Sequence, residues 1–190
     1  MTKIKSAKDL IMLLLYAKGH KGVEGEAVVG RTRLMKMIFL FDKEIRKQFN
    51  LGNNIADEAF PDFRPYDYGP FSDQVYAELE FLVDMGFVKA KSGDLEEDAP
   101  EEALEYEYWQ TNSNVDDGSG VSQGIEQLEL TDVGSSFVKD ELIKGISKDQ
   151  WQIIEKFKAR CTGMPLKALL RYVYAKYPET TTKSKIKDSL

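Results

Sequence analysis

The chain has 190 residues, of which 42% are hydrophobic and 31% charged, and a net charge of −6. That length is one domain with room for an appended helical piece, and it is long enough to bury a real core. A single cysteine, Cys161, excludes an internal disulfide and suits a reducing cytoplasm, while the apolar run Leu10–Ala17 lacks a following signal cleavage site and falls well short of the ~20 residues of a membrane span.

Charge is unevenly spread. Residues 1–49 carry +6, residues 50–147 carry −18 and residues 148–190 carry +6. The middle would be repelled by nucleic acid, whereas both ends would tolerate it.

Ser6 with Asp9 reads as a capping box opening a helix over 7–18, whose LIMLLLYA core is apolar nearly all round and belongs at the centre of the fold. Gly19, Gly22 and Gly25 mark a polar loop. The spacing of Leu34, Met37, Ile38, Phe41 and Ile45 predicts a helix over 32–49, with Lys36, Lys43, Arg46 and Lys47 on its outer face. Residues 50–63 read as loop. Arg64–Ser72, RPYDYGPFS, packs two prolines, a glycine and two tyrosines into nine positions, which fixes a backbone path and presents large rings.

Ser72 is the natural N-cap of a third helix, 73–85, with Val75, Leu79 and Leu82 inward and Gly86 ending it. Residues 87–91 read as a short strand. Residues 94–107 then hold eight acids in fourteen positions, and 92–124 as a whole reads as a long acidic excursion, with Tyr106–Gln110 strand-like. Residues 125–130 form the return strand, and Thr131 caps a helix over 132–144. Ser147 and Gln150 form a second capping box for a helix over 148–161, with Trp151, Ile154, Phe157 and Cys161 inward. Pro165 opens a last helix to Lys176, Pro178 stops it, and 179–190 is a polar tail on which Ile186 and Leu190 are the residues able to dock.

Helix, helix, helix, strand, long turn, strand, helix is the order of a winged-helix module. The expected fold class is therefore mainly α (α+β): a winged-helix-like core over 1–145, its small β-hairpin wing carrying the 92–124 insert, and a C-terminal helical pair over 146–178.

Three stretches, GRTRLMKMIFLFDKE (30–44), RPYDYGPFSDQVYAELEFLVDMGFV (64–88) and LELTDVG (128–134), together resemble the YwgA-like group of prokaryotic proteins. More distantly, the basic Leu34–Lys36 segment and the Tyr68–Pro70 turn followed by a helix are similar to the SocA/Panacea domain. The resemblance covers most of residues 8–145. It implies an antitoxin- or adaptor-like module that binds another protein, and it carries over no catalytic residues. The acidic segment departs from the shorter family pattern at the wing.

Chemistry in the residues themselves is sparse. One histidine, His20, and one cysteine leave no zinc site, and no phosphate-cradling or nucleophile-elbow motif is present. Cys161 on an apolar stripe reads as packing. No cofactor is expected, and no enzymatic activity. The third helix, where a winged helix would read DNA, has Asp73, Glu78, Glu80 and Asp84 and no lysine or arginine, so duplex binding by that face is disfavoured.

Arg31, Arg33 and Lys36 at the start of the second helix, with Arg64 nearby, form a cationic helix start suited to carboxylate or phosphate; as plain structure they are a solvated basic end or ion pairs to the protein's own acids. Tyr66 and Tyr68 are either rigid interface anchors or residues that lock the turn. The leading expectation is a protein partner held by Arg31, Arg33, Lys36, Arg64, Tyr66 and Tyr68. The alternative is a nucleic-acid-binding regulator that uses the basic ends. Self-association follows if the C-terminal helices leave an apolar stripe uncovered.

Overall fold

The computed structural model describes residues 4–48, 54–93 and 125–190. The acidic stretch 94–107, the strand expected at Tyr106–Gln110 and the rest of 94–124 lie outside the described residues. The fold is mainly helical, with small antiparallel sheets. Among the described residues no helix is long and apolar enough to cross a membrane.

Helix α1, Ala7–Tyr16, is the centre of the core, every residue from Leu10 to Tyr16 being buried. The Ser6–Asp9 capping box opens it as expected: Ser6 Oγ accepts from the Asp9 amide and Asp9 Oδ2 from the Ser6 amide. Strand β1, Val28–Val29, follows the glycine loop and escapes sequence reading because two residues show no periodicity. Helix α2, Arg31–Leu40, runs on into one wide π turn, Phe41–Ile45. All of Arg33–Leu40 is buried, so α2 is an interior helix rather than an amphipathic surface one.

The RPYDYGPFS segment is a β-hairpin: β2, Arg64–Tyr66, pairs with β3, Gly69–Phe71, and Pro65 stands opposite Pro70. Neither proline has an N–H, so theirs is the non-hydrogen-bonded pair, and both ladder bonds run through Arg64–Phe71 and Tyr66–Gly69. The outward carbonyl of Pro70 accepts from Lys36 Nζ at 2.8 Å, which ties the hairpin to α2. Gly69 takes φ +84°, and a Cβ there would stand 2.8 Å from Tyr174 Cε1, so the turn rests directly on the C-terminal helices.

Helix α3, Asp73–Asp84, is capped by Ser72 and buries Val75, Leu79 and Leu82 as expected. Strands β4, Val88–Gly93, and β5, Ile125–Leu130, pair antiparallel with Val88 opposite Leu130, and β1 adds to the far side of β5. The sheet order is β1-β5-β4.

Thr131 then makes the turn into α4, Asp132–Phe137, which continues as a second π turn, Val138–Leu142. Its hydroxyl donates to the Gly86 carbonyl at 2.7 Å and accepts from the Gly134 amide at 3.2 Å. A Cβ on Gly134 would fall 2.2 Å from the Phe87 carbonyl oxygen, which explains the glycine in LELTDVG. Gly134→Ala is expected to cost about 2 kcal/mol through this backbone collision, read as a lowered urea midpoint at unchanged slope.

Helices α5, Lys148–Thr162, and α6, Leu166–Lys176, close the chain and pack on α2. The second capping box is present, and Ile154, Phe157 and Cys161 are buried. The apolar stripe Leu169, Leu170 and Val173 is covered within the chain itself. The tail is more ordered than its composition suggests. Ile186 is buried, the Lys185 amide donates to the Asp67 carbonyl at 2.9 Å, and Lys185 Nζ meets the Asp67 carboxylate at 2.7 Å, so the tail straps the hairpin turn.

Candidate protein-interaction surface

The six residues singled out by sequence divide into two groups. Arg33 and Lys36 are interior, and this corrects their place on a partner-facing surface. α5, α6 and the hairpin lie over the face of α2 that would otherwise meet water. Arg33 Nη1 donates to the carbonyls of Cys161 and Met164, both at 2.7 Å, and Nε to Val29. It thus serves the orphan carbonyls at the C-terminal end of α5, where a cation also opposes the helix dipole favourably. Lys36 is equally buried, and burial pushes its ammonium down to about 7. Tyr68 is partly buried and packs against the core.

Arg31, Arg64 and Tyr66 do come together, joined by two rings outside the six, Phe71 and Tyr76. The Arg64 guanidinium lies over Tyr66 at 4.7 Å and Phe71 at 5.4 Å. Phe71 packs on Tyr66 with centroids 5.0 Å apart and on Tyr76 at 6.4 Å, and Arg31 lies over Tyr76 at 5.5 Å. The result is a ladder, Arg64–Tyr66–Phe71–Tyr76–Arg31, running from the hairpin across α3 to the start of α2. Tyr66 and Tyr76 are 38% and 40% exposed, high for such large rings.

The cations of the ladder are already matched. Arg64 forks onto Asp73 with bonds of 3.0 and 3.1 Å. Arg31 donates to Glu80 and to both oxygens of Glu126. Burial works to lower the Arg31 pKa, but its bonds to Glu126 and then Glu80 outweigh burial and raise it. Next door, Lys8 pairs with Glu78 and lies over Phe81 at 4.6 Å. The surface is therefore aromatic and charge-compensated rather than basic, because Asp73, Glu78 and Glu80 of α3 are spent on the protein's own cations.

No protein-family model matches this chain, and no curated protein matches it.

His20 and Cys161 are brought nearer than sequence alone implied, since the His20 amide donates to Thr162 Oγ1 at 3.0 Å. His20 Nδ1, however, sits 2.9 Å from Glu26, and the buried Cys161 thiol is pushed up to about 11 by burial, which makes it a poor nucleophile at neutral pH. Among the described residues no three His, Cys, Asp or Glu side chains are grouped as metal ligands.

Tyr76 and Phe71 were findable. Positions 66, 71 and 76 carry a ring every five residues through the hairpin and into the first turn of α3, at sites that the inward stripe Val75, Leu79 and Leu82 does not use.

Proposed function

We propose that this protein acts by binding rather than by catalysis: a winged-helix-like module of the YwgA-like and SocA/Panacea kind that captures another protein in the cytoplasm, in the manner of an antitoxin or adaptor. The single observation carrying this reading is the exposed aromatic–arginine ladder. Rings held in place by neighbouring guanidinium groups lose little entropy on binding, and Tyr and Arg are the residues that dominate interface energetics. Their charges are neutralised within the chain, so a partner need not supply a matching ion for each.

The topology supports the winged-helix part, and the charge of α3 the choice of partner. The order α1–β1–α2–α3–β4–β5, with β1 joining β5 at one edge and β4 at the other, agrees with the order expected of such a module, with the hairpin read as an addition between α2 and α3. A protein is favoured over DNA as the ligand of that face because α3 has no lysine or arginine to meet phosphate, its acids Asp73, Glu78 and Glu80 being paired with the chain's own cations and Asp84 adding negative charge.

Affinity capture from the native host with the wild-type chain and an Arg64→Ala, Tyr66→Ala, Tyr76→Ala variant tests the reading. Loss of two ring anchors and their stacking cation is expected to weaken capture of a specific partner by at least ~30-fold, the equivalent of about 2 kcal/mol. Equal recovery of that partner by a variant with an unchanged circular dichroism spectrum would sink the assignment.

A further inference from the structure

A second surface has the opposite charge logic. At the end of α2, the π turn Phe41–Ile45 places Glu44 against α5 and α6, its side chain only 9% exposed. Oε1 accepts from the Tyr172 hydroxyl at 2.6 Å, Lys176 Nζ at 2.9 Å and the Tyr177 hydroxyl at 3.4 Å, and Oε2 from Arg160 Nη2 at 2.7 Å. Burial works to raise the Glu44 pKa, but the bonds from Tyr172, Lys176 and Arg160 outweigh it and hold the carboxyl below its ordinary range. One negative charge therefore answers two cations. At the hairpin surface the count is reversed, with Arg31 alone answered by both Glu80 and Glu126.

The cations around Glu44 are only half matched, two of them sharing one carboxylate, and they stay open to water. Arg160 and Lys176 remain 47% and 48% exposed, and both lie on aromatic rings: Arg160 over Phe157 at 5.6 Å and Tyr172 at 5.8 Å, Lys176 over Tyr172 at 5.1 Å and Tyr177 at 5.8 Å. Lys43 lies over Phe39 at 5.7 Å, and Phe39 meets Tyr177 edge-on at 5.1 Å, so each of the three cations lies on an aromatic ring. Exposed Lys156 stands one turn before Arg160 on α5, and exposed Lys47 one turn after Lys43. Against these stand Glu44 and Asp42, the latter shared between Arg46 at 3.0 Å and Lys43 at 3.6 Å.

We propose that this face, where the end of α2 meets α5 and α6, binds the phosphate backbone of a single-stranded nucleic acid. Half-exposed cations strung along three packed segments suit a chain of phosphates better than one isolated anion, and the partly exposed rings of Tyr172 and Tyr177, lying beside Arg160 and Lys176, suit unpaired bases. The two basic ends of the sequence, separated by the acidic middle, meet here. The site shares no residue with the aromatic ladder, so it stands or falls independently of the protein-binding reading.

The test is fluorescence anisotropy of a labelled oligothymidylate titrated with the full chain. Binding at ~50 mM salt is expected, weakening on a log–log plot with a slope of about −2, as release of counterions from ~3 phosphate contacts requires. Lys43→Glu with Lys156→Glu leaves the Glu44 bonds intact and is expected to weaken binding at least ~tenfold; Arg160→Ala, if it folds, is expected to do the same. Arg64→Ala should leave binding unchanged. No anisotropy change at low salt, undiminished binding by the lysine double variant, or tighter binding of the matching duplex would each overturn the proposal.

Discussion

Lys158→Met is expected to lower stability by about 3 kcal/mol or more, because its ammonium is the shared donor for three carbonyls, two buried and one half-buried, and removing it would leave each unsatisfied at ~1–3 kcal/mol. The side chain is fully buried, and Nζ donates to Leu15 O and Ala17 O at 2.8 Å and to Glu26 O at 2.6 Å. In the ammonium form, held below about pH 7, three protons meet three acceptors and the group is fully satisfied. Two of those acceptors belong to the end of α1, the central helix, which has no cationic residue in its own last turn. The third lies at the far side of the glycine loop, so one side chain of α5 fixes both where α1 stops and where the chain re-enters the sheet. Methionine fills nearly the same volume, which isolates the lost hydrogen bonds from any cavity. In thermal unfolding the change should appear as a Tm lowered by about 10 °C, from ~2–4 °C per kcal/mol at this chain length. A loss below ~1 kcal/mol would show that water replaces the ammonium at little cost.

Much of this was legible in the sequence, and the misses share one physical cause. Both capping boxes, the Ser72 cap and the buried stripe of α3 were readable because they are local: each depends on residues three or four apart. The interior cations were not, because a lysine or arginine reads as surface until something covers it. Lys158 gave a signal nonetheless. With Ile154, Phe157 and Cys161 it occupies the i, i+3, i+4, i+7 face of α5, so its position on that face was a core position. Arg33 and Lys36 find their deciding partners, Cys161 and Met164 for one and Pro70 for the other, more than thirty residues away in sequence, and no local pattern reports that. The hairpin was recognised as rigid but not as paired strands, since prolines argue against a strand except where they face outward, as Pro65 and Pro70 do here. Likewise the acids of α3 were legible as a bar to DNA, and ion pairing of Arg31 and Arg64 with the protein's own acids was legible as one structural reading, but not that Asp73 and Glu80 would answer them or that Lys8 would take Glu78. That pairing turns the interaction surface from basic to neutral and aromatic, and shifts the free positive charge to the Glu44 face.

The same buried lysines make stability rise with pH above neutrality. Burial lowers both Lys36 and Lys158 from 10.5 to about 7, with Glu26 partly opposing the shift at Lys158. The unfolded chain holds both protons up to about pH 10.4, so between pH 7 and that value it binds more protons than the folded chain, and raising pH favours folding. Below pH 7 both states carry the charges and this contribution is flat at its least favourable. Cys161 works the other way: burial raises its thiol to about 11, so above about pH 8.5 only the unfolded chain ionises it, and Tyr16, raised to about 12 by burial and Glu24, does the same above about pH 10. The net gain between pH 7 and 9 is expected to be on the order of 2–4 kcal/mol, from up to ~1.4 kcal/mol per pH unit for each lysine. Urea midpoints measured at pH 6, 7, 8 and 9 check it, and a flat or falling series would refute it. Lys36→Met separates the lysine's two effects. Its bond to the Pro70 carbonyl is lost at every pH, whereas the penalty of a buried charge is relieved only where the wild type is protonated. The variant should therefore lie closest to wild type at pH 6 and fall progressively behind it by pH 9, roughly halving the wild-type slope. Parallel curves for the two proteins would mean that the proton lost near neutrality belongs to another group.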